Sequence, residues 1–171
     1  DVVEAALAWA SALQNDKRPT AMLLSRQSVP YMNKDDASLV ARGGYVLAGP
    51  SPAGLNRPAE AVIIATGSEV QLAMRAQEVL ARRDIAVRVV SMPSTSVFDR
   101  QTPEYKEMVL PSELPRIAVE MGVSDYWWKY GCAAVVGIDS FGESAPAETL
   151  YEHFGFTPEN VADTVQAVLG R

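Results

Sequence analysis

Residues 61–81, AVIIATGSEVQLAMRAQEVLA, constrain the fold more than any other stretch of this 171-residue chain. Val62, Ile63, Ile64 and Ala65 form a short apolar run that ends at Thr66-Gly67-Ser68. Apolarity without alternation over so few residues suits a strand covered on both faces, as in a parallel sheet. Leu72, Ala73, Ala76, Val79 and Leu80 then recur at helical spacing, giving one stripe for the sheet to bury. Ser68 is expected to cap this helix, with Gln71 completing a capping box. The turn can also be read as an anion site, because helix N-termini attract negative charge. It has a single glycine and neither the dinucleotide nor the Walker pattern. Glu69 in the first turn already complements the helix dipole and would repel a phosphate. A structural strand–turn–helix is therefore the expectation.

The remaining elements follow in chain order. Val2, Ala5, Ala6, Trp9, Ala12 and Leu13 predict a helix over 2–13, stopped by Asn15-Asp16-Lys17-Arg18-Pro19. Thr20–Ser25 reads as a buried strand ending at Arg26. One helix and one strand cannot build a core, so they look like the last unit of another sheet. Residues 27–42 lose periodicity and read as a linker. Strands are then expected at 45–48, 62–65, 85–91, 116–120 and 133–138. The loop at 49–58, with three prolines and two glycines, is expected to be mobile. The first of these strands is joined to the second only by that loop, so it can run antiparallel at an edge. Helices are expected after Thr102-Pro103, over 124–130, over 144–154, and from Thr157-Pro158 to Gly170. Strands alternating with helices predict an α/β fold: three α/β/α layers around a mainly parallel, mixed sheet of about five strands.

Charge and the rare residues narrow the chemistry. The net charge is −6. With no basic patch, nucleic acid is not an expected partner. No apolar run approaches the roughly 18 residues of a membrane span. Cys132 is the sole cysteine and His153 the sole histidine, which leaves no internal disulfide and no His/Cys metal cage. A lone cysteine fits a reducing cytoplasmic setting. Cys132 is expected to be an inert small residue and His153 a surface residue near a helix C-terminus. Trp127 and Trp128 are adjacent and point about 100° apart on a helix, so one is expected in the core and the other at an edge. Glu143 and Glu148 do not converge clearly enough to act as a carboxylate pair. Glu143 is expected to favour a helix N-terminus, and Glu148 to be a solvated first- or second-turn residue. A start at Asp1 leads us to expect a fragment or a processed chain.

Four stretches carry a resemblance. They are Ala65-Thr66-Gly67-Ser68-Glu69-Val70; Val90-Ser91-Met92-Pro93-Ser94-Thr95 with Phe98-Asp99; Asp125-Tyr126-Trp127-Trp128-Lys129-Tyr130; and Phe141-Gly142-Glu143-Ser144-Ala145-Pro146-Ala147-Glu148. In this order the chain resembles the C-terminal part of a bacterial-type transketolase. The resemblance implies three domains, of which residues 1–26 would end the middle, pyrimidine-binding domain and 43–171 would form the C-terminal, Rossmann-like domain, with 27–42 linking them. It implies transfer of a two-carbon ketol unit between sugar phosphates in the pentose phosphate pathway. It also implies thiamine diphosphate, a divalent cation (magnesium or calcium) and a cytoplasmic homodimer. The family's cofactor groups and catalytic histidines lie upstream, so no catalytic, cofactor-binding or metal residue is expected here, and no cofactor bound to this chain alone. One substrate-binding residue carries over. Leu24-Ser25-Arg26-Gln27 matches the family's LSRQ stretch, whose arginine contacts the sugar phosphate, so the residue is Arg26. A guanidinium fork matches phosphate oxygens, and strand C-termini face ligand crevices. The alternatives are a free-standing Rossmann-like regulatory or ligand-binding module and a domain that only buttresses subunit contacts.

Overall fold

The computed structural model describes residues 1–50 and 57–171. Helix α1 (Val2–Gln14) comes first and is followed by an extended stretch with no regular structure, then by a 3₁₀ helix over Ala37–Arg42. Strands β1 (Tyr45–Ala48), β2 (Ala61–Ala65), β3 (Val87–Ser91), β4 (Arg116–Val119) and β5 (Cys132–Val136) form one sheet in the order β1-β3-β2-β4-β5. Helices α2 (Glu69–Arg82), α3 (Thr95–Phe98), α4 (Pro103–Val109), α5 (Ala147–His153) and α6 (Pro158–Val168) connect and follow them, with a second 3₁₀ helix over Ser124–Tyr130.

β2 lies at the centre and pairs in parallel with β3 (Ile63 opposite Val89) and with β4 (Ile63 opposite Ile117). Only β1 is antiparallel, at the β3 edge, with Tyr45 opposite Ser91. The chain runs from β1 to β2, past the β3 position, and β3 then inserts between them after α2. The alternation of side chains along β2 feeds two cores. Ala61, Ile63 and Ala65 face α2 and α6, packing with Leu80, Val161 and Val165. Val62 and Ile64 face the other way, packing with Phe98, Tyr105, Val109 and Trp127. All five β2 residues are fully buried. Each large aliphatic among them contributes about 2 kcal/mol by leaving water. These are the expected three layers and the expected mixed sheet.

Several local expectations need correction. Residues 20–25 form no strand, and Leu23 is 93 % exposed. A strand exists only where a ladder pairs its backbone, and no described strand lies beside this segment. Ser68 does not cap α2 with its side chain. It sits in helical geometry (φ −67°, ψ −23°) instead of the extended geometry a capping hydroxyl requires, and its hydroxyl donates to Glu69 at 3.0 Å. Backbone bonds from Glu69 to Thr66 and from Val70 to Gly67 close that turn. The capping box lies instead at α1, where Asp1 accepts from the Val3 and Glu4 amides and Glu4 accepts from the Asp1 nitrogen. Helix α5 starts at Ala147, three residues later than expected, because Pro146 stays extended (ψ 145°) ahead of it. Glu143 therefore stands before the helix, exposed, and not at its N-terminus. The expected mobility at 49–58 falls largely on residues 51–56, outside the described residues.

Gly43 is a position that only glycine fills. Its φ is +84°, and a Cβ there would stand 2.4 Å from the Ser94 carbonyl oxygen and 2.5 Å from the Phe98 nitrogen. The chain thus enters β1 pressed against α3.

Candidate functional site at the strand C-termini

In a doubly wound sheet, ligands favour the crevice at the C-terminal ends of the parallel strands, where the strand order switches. Here the chain goes from β2 out to β3 on one side, then crosses back over β2 to β4 on the other, so the switch lies between β2 and β4. Glu69 fills that point. Its carboxylate accepts the Met121 backbone N–H at 3.1 Å, just beyond β4, and the side chain is buried. Burial raises its pKa above the ordinary carboxylate value, outweighing the donors from Ser68 and Met121, and the Glu120 charge adds to the rise. A buried carboxylate at the switch point opposes a phosphate, which argues against the free-standing nucleotide-binding reading.

The neighbouring end of the crevice, over β1 and β3, is covered by the chain's own first helix. The Glu4 carboxylate accepts from the Tyr45 hydroxyl at 2.8 Å and from the Ser91 hydroxyl at 2.6 Å. These donors are the cross-strand pair of β1 and β3. All three residues are buried. Burial pushes the Glu4 carboxyl upward, while the hydrogen bonds from Ser91 and Tyr45 pull it down. Burial and the adjacent Glu4 charge push the Tyr45 phenol far upward, so it remains a donor. Asp1 adds a second tie, accepting from the Met32 amide at 2.8 Å and from Lys34 Nζ at 2.5 Å. The space left among Glu4, Pro30, Met32, Tyr45 and Ser68 is about 10 Å³, room for about one water.

Arg26 lies in the extended segment between these ties. It is exposed. Next to it in sequence, half-buried Gln27 stands near Tyr151, whose phenol is pushed upward by burial. The Tyr151 hydroxyl has no hydrogen-bond partner among the described residues.

Other candidates take the roles expected of them. Trp127 is in the core, with its indole N–H donating to Glu120 at 2.6 Å, while Trp128 is 47 % exposed. Cys132 is buried within β5, and burial pushes its thiol up to about 11 against the pull of Arg116. His153 is exposed in the last turn of α5, edge-on to Phe154. Glu148 is exposed in the first turn of α5. Among the described residues no three His, Cys, Asp or Glu side chains are grouped to hold a metal ion. No helix of the described residues is long and apolar enough to cross a membrane. Glu4, Tyr45 and Ser91 were not foreseen as a site. The Asp1-x-x-Glu4 spacing was the available signal for the cap, but nothing local announces partners 41 and 87 residues away.

Comparison with known proteins decides the family. The family model described as "Transketolase-like TK C-terminal domain" matches residues 43–157. The chain belongs to the transketolase family. It is 48% identical to Transketolase 1 of Pasteurella multocida over 174 residues, covering 99% of this chain and 26% of that protein. It is 46% identical to Transketolase 2 of Escherichia coli K12, with the same coverage. Transketolase from Leishmania mexicana superposes with a TM-score of 0.90 at 40% identity, over 100% of this chain and 24% of that one. The chain therefore spans about a quarter of these transketolases. The transketolase resemblance expected from four short motifs and the α/β fold expected from alternating strands and helices both hold.

Proposed function

We propose that this chain is the C-terminal part of a transketolase that moves a two-carbon ketol unit from a ketose phosphate to an aldose phosphate in the pentose phosphate pathway. The observation that carries the reading is similarity to transketolases along 99% of the chain. Residues 1–26 end the middle, pyrimidine-binding domain, 27–42 form the linker, and 43–171 form the C-terminal domain. In support, Trp9, Leu13, Leu23 and Leu24 are exposed, although α1 makes its buried contact through a carboxylate. An apolar helix face turned outward fits burial against the upstream part of a longer chain.

The residues present do not fit thiamine diphosphate with its divalent cation. The sole histidine is on the surface, and the switch point holds a buried carboxylate in place of donors for a diphosphate. In this reading the cofactor and the cation, magnesium or calcium, are held by the upstream part of a cytoplasmic homodimer, and this part supplies packing and one substrate contact. That contact is Arg26. Its exposed guanidinium follows an extended stretch and is available to take two phosphate oxygens in parallel.

The test is a ketol-transfer assay on the full-length protein with thiamine diphosphate and magnesium, paired with calorimetric titration of the cofactor into the 171-residue chain. Activity of the long form that depends on the cofactor, with no binding heat from the short chain, supports the reading. Cofactor binding by the short chain alone contradicts it.

A further inference from the structure

We propose that the groove between α4 and the second 3₁₀ helix is an anion site that takes a small phosphate ester. The site is separate from Arg26 and does not depend on the reading of that residue. The groove is open and has a volume of about 470 Å³. Lys106, Arg116 and Lys129 line it, in a chain whose net charge is −6. Arg116 is the first residue of β4 and Ser91 the last of β3, and both strands run parallel to β2. The groove therefore lies toward the end of the sheet opposite the contact of Glu4 with Ser91. Helix α1 and the chain leading into it meet the domain at that other end.

None of the three cations is fully used. An ammonium donates in three directions. Lys106 gives one hydrogen to the Asp99 carbonyl at 2.6 Å. Lys129 gives two, to the Asp99 carboxylate at 2.9 Å and to the Tyr126 hydroxyl at 3.1 Å. Arg116 donates from its terminal nitrogens to the carbonyls of Tyr130 at 2.6 Å and Leu110 at 2.8 Å. Those carbonyls fix the guanidinium but carry no net charge to offset it. Its Nε is buried with no acceptor among the described residues. The carboxylates at hand are Asp99 and Glu107, and Glu107 is held by the amide and hydroxyl of Ser112 at 2.7 and 2.8 Å. Three cations thus face two carboxylates, and donors remain for an outside anion. Pro103, Leu110 and Tyr130 add apolar and aromatic wall. A phosphate ester matches that combination: its oxygens accept from the lysines, and its organic part lies against Leu110 and Tyr130.

The test is calorimetric titration of phenyl phosphate into the full-length protein, saturated with thiamine diphosphate and magnesium and carrying Arg26→Ala. That substitution removes the substrate-phosphate contact proposed above. Binding is expected, and it should weaken by about fivefold in Lys106→Gln and in Lys129→Gln, and further in the double variant. Raising the salt from about 0.02 to about 0.2 M should weaken it severalfold. Benzoate, with a ring and a single charge, should bind at least about fivefold more weakly than phenyl phosphate. Lys106→Gln carries the test if loss of the Lys129–Asp99 pair unfolds the protein. Binding seen only while Arg26 is present, or no binding at all, overturns the groove as a site. Binding that the lysine variants leave unchanged does the same. Equal affinity for benzoate overturns a phosphate ester as its ligand. None of these failures bears against the reading of Arg26, which its own kinetics decide.

Discussion

The Glu69 carboxylate accepts the Met121 backbone N–H at 3.1 Å, joining the first turn of α2 to the loop after β4 across the switch point of the sheet. This contact occupies with protein the crevice that doubly wound folds commonly leave to ligands. It also buries a carboxylate whose pKa is raised by that burial.

Stability should therefore depend on pH through Glu69. A carboxyl with a folded pKa above its unfolded one favours the folded state while protonated. That contribution is present below the unfolded value and is lost as pH rises through the folded one. Glu69→Gln keeps an oxygen to accept the Met121 N–H and cannot ionise. Urea unfolding from pH 4 upward should show the variant gaining on the parent as pH rises, and a constant difference would refute this.

The two tryptophans should respond differently to loss. Trp127→Phe leaves Glu120 without its donor and opens space in the core against Phe98, Tyr130 and the sheet, costing about 2 kcal/mol. Trp128→Phe, at a half-exposed site, should stay within about 0.5 kcal/mol. Denaturant midpoints for the two variants would separate them. Equal losses would mean the packing of the second 3₁₀ helix is misassigned.

Two glycines with positive φ make a second contrast. Gly43→Ala combines φ +84° with a Cβ pushed into the backbone of Ser94 and Phe98. It should cost more than about 3 kcal/mol, because neither neighbour is a flexible side-chain end. Gly170→Ala has φ +71° and open space around it, so only the backbone penalty of about 1–2 kcal/mol applies. Thermal melts of both variants would test the order.

Cys132 should be chemically silent in the folded protein. Its thiol is buried and pushed up to about 11, so little thiolate exists at pH 8. Alkylation by iodoacetamide should track unfolding in urea and be negligible before it. Rapid labelling of the native protein would contradict the placement of β5.

Much of this fold was legible because its signals are local. The run Val62–Ala65, the stripe from Leu72 to Leu80 and the Thr157-Pro158 start of α6 each carry their structure within a few residues, and each formed where expected. Thr20–Ser25 carried the same apolar signal and formed nothing, because a strand is a property of its neighbours. Ser68 and Gln71 had the right spacing for a cap but the wrong backbone at Ser68. The least legible feature was the buried contact of Glu4 with Tyr45 and Ser91. Glu4 looks like an ordinary first-turn glutamate, and only the tertiary structure brings Tyr45 and Ser91 to it. Arg26 came from motif resemblance, and its exposure alone would not have distinguished it from other surface arginines.

The most direct test of the central claim is the Michaelis constant of the full-length Arg26→Ala variant for phosphorylated and unphosphorylated ketose donors. Loss of a bidentate charged contact should raise KM for the phosphorylated donor by about ten- to a hundredfold, with the unphosphorylated donor nearly unchanged. An equal effect on both donors, or none on either, would contradict the assignment of Arg26 as the residue through which this part of the transketolase meets its substrate.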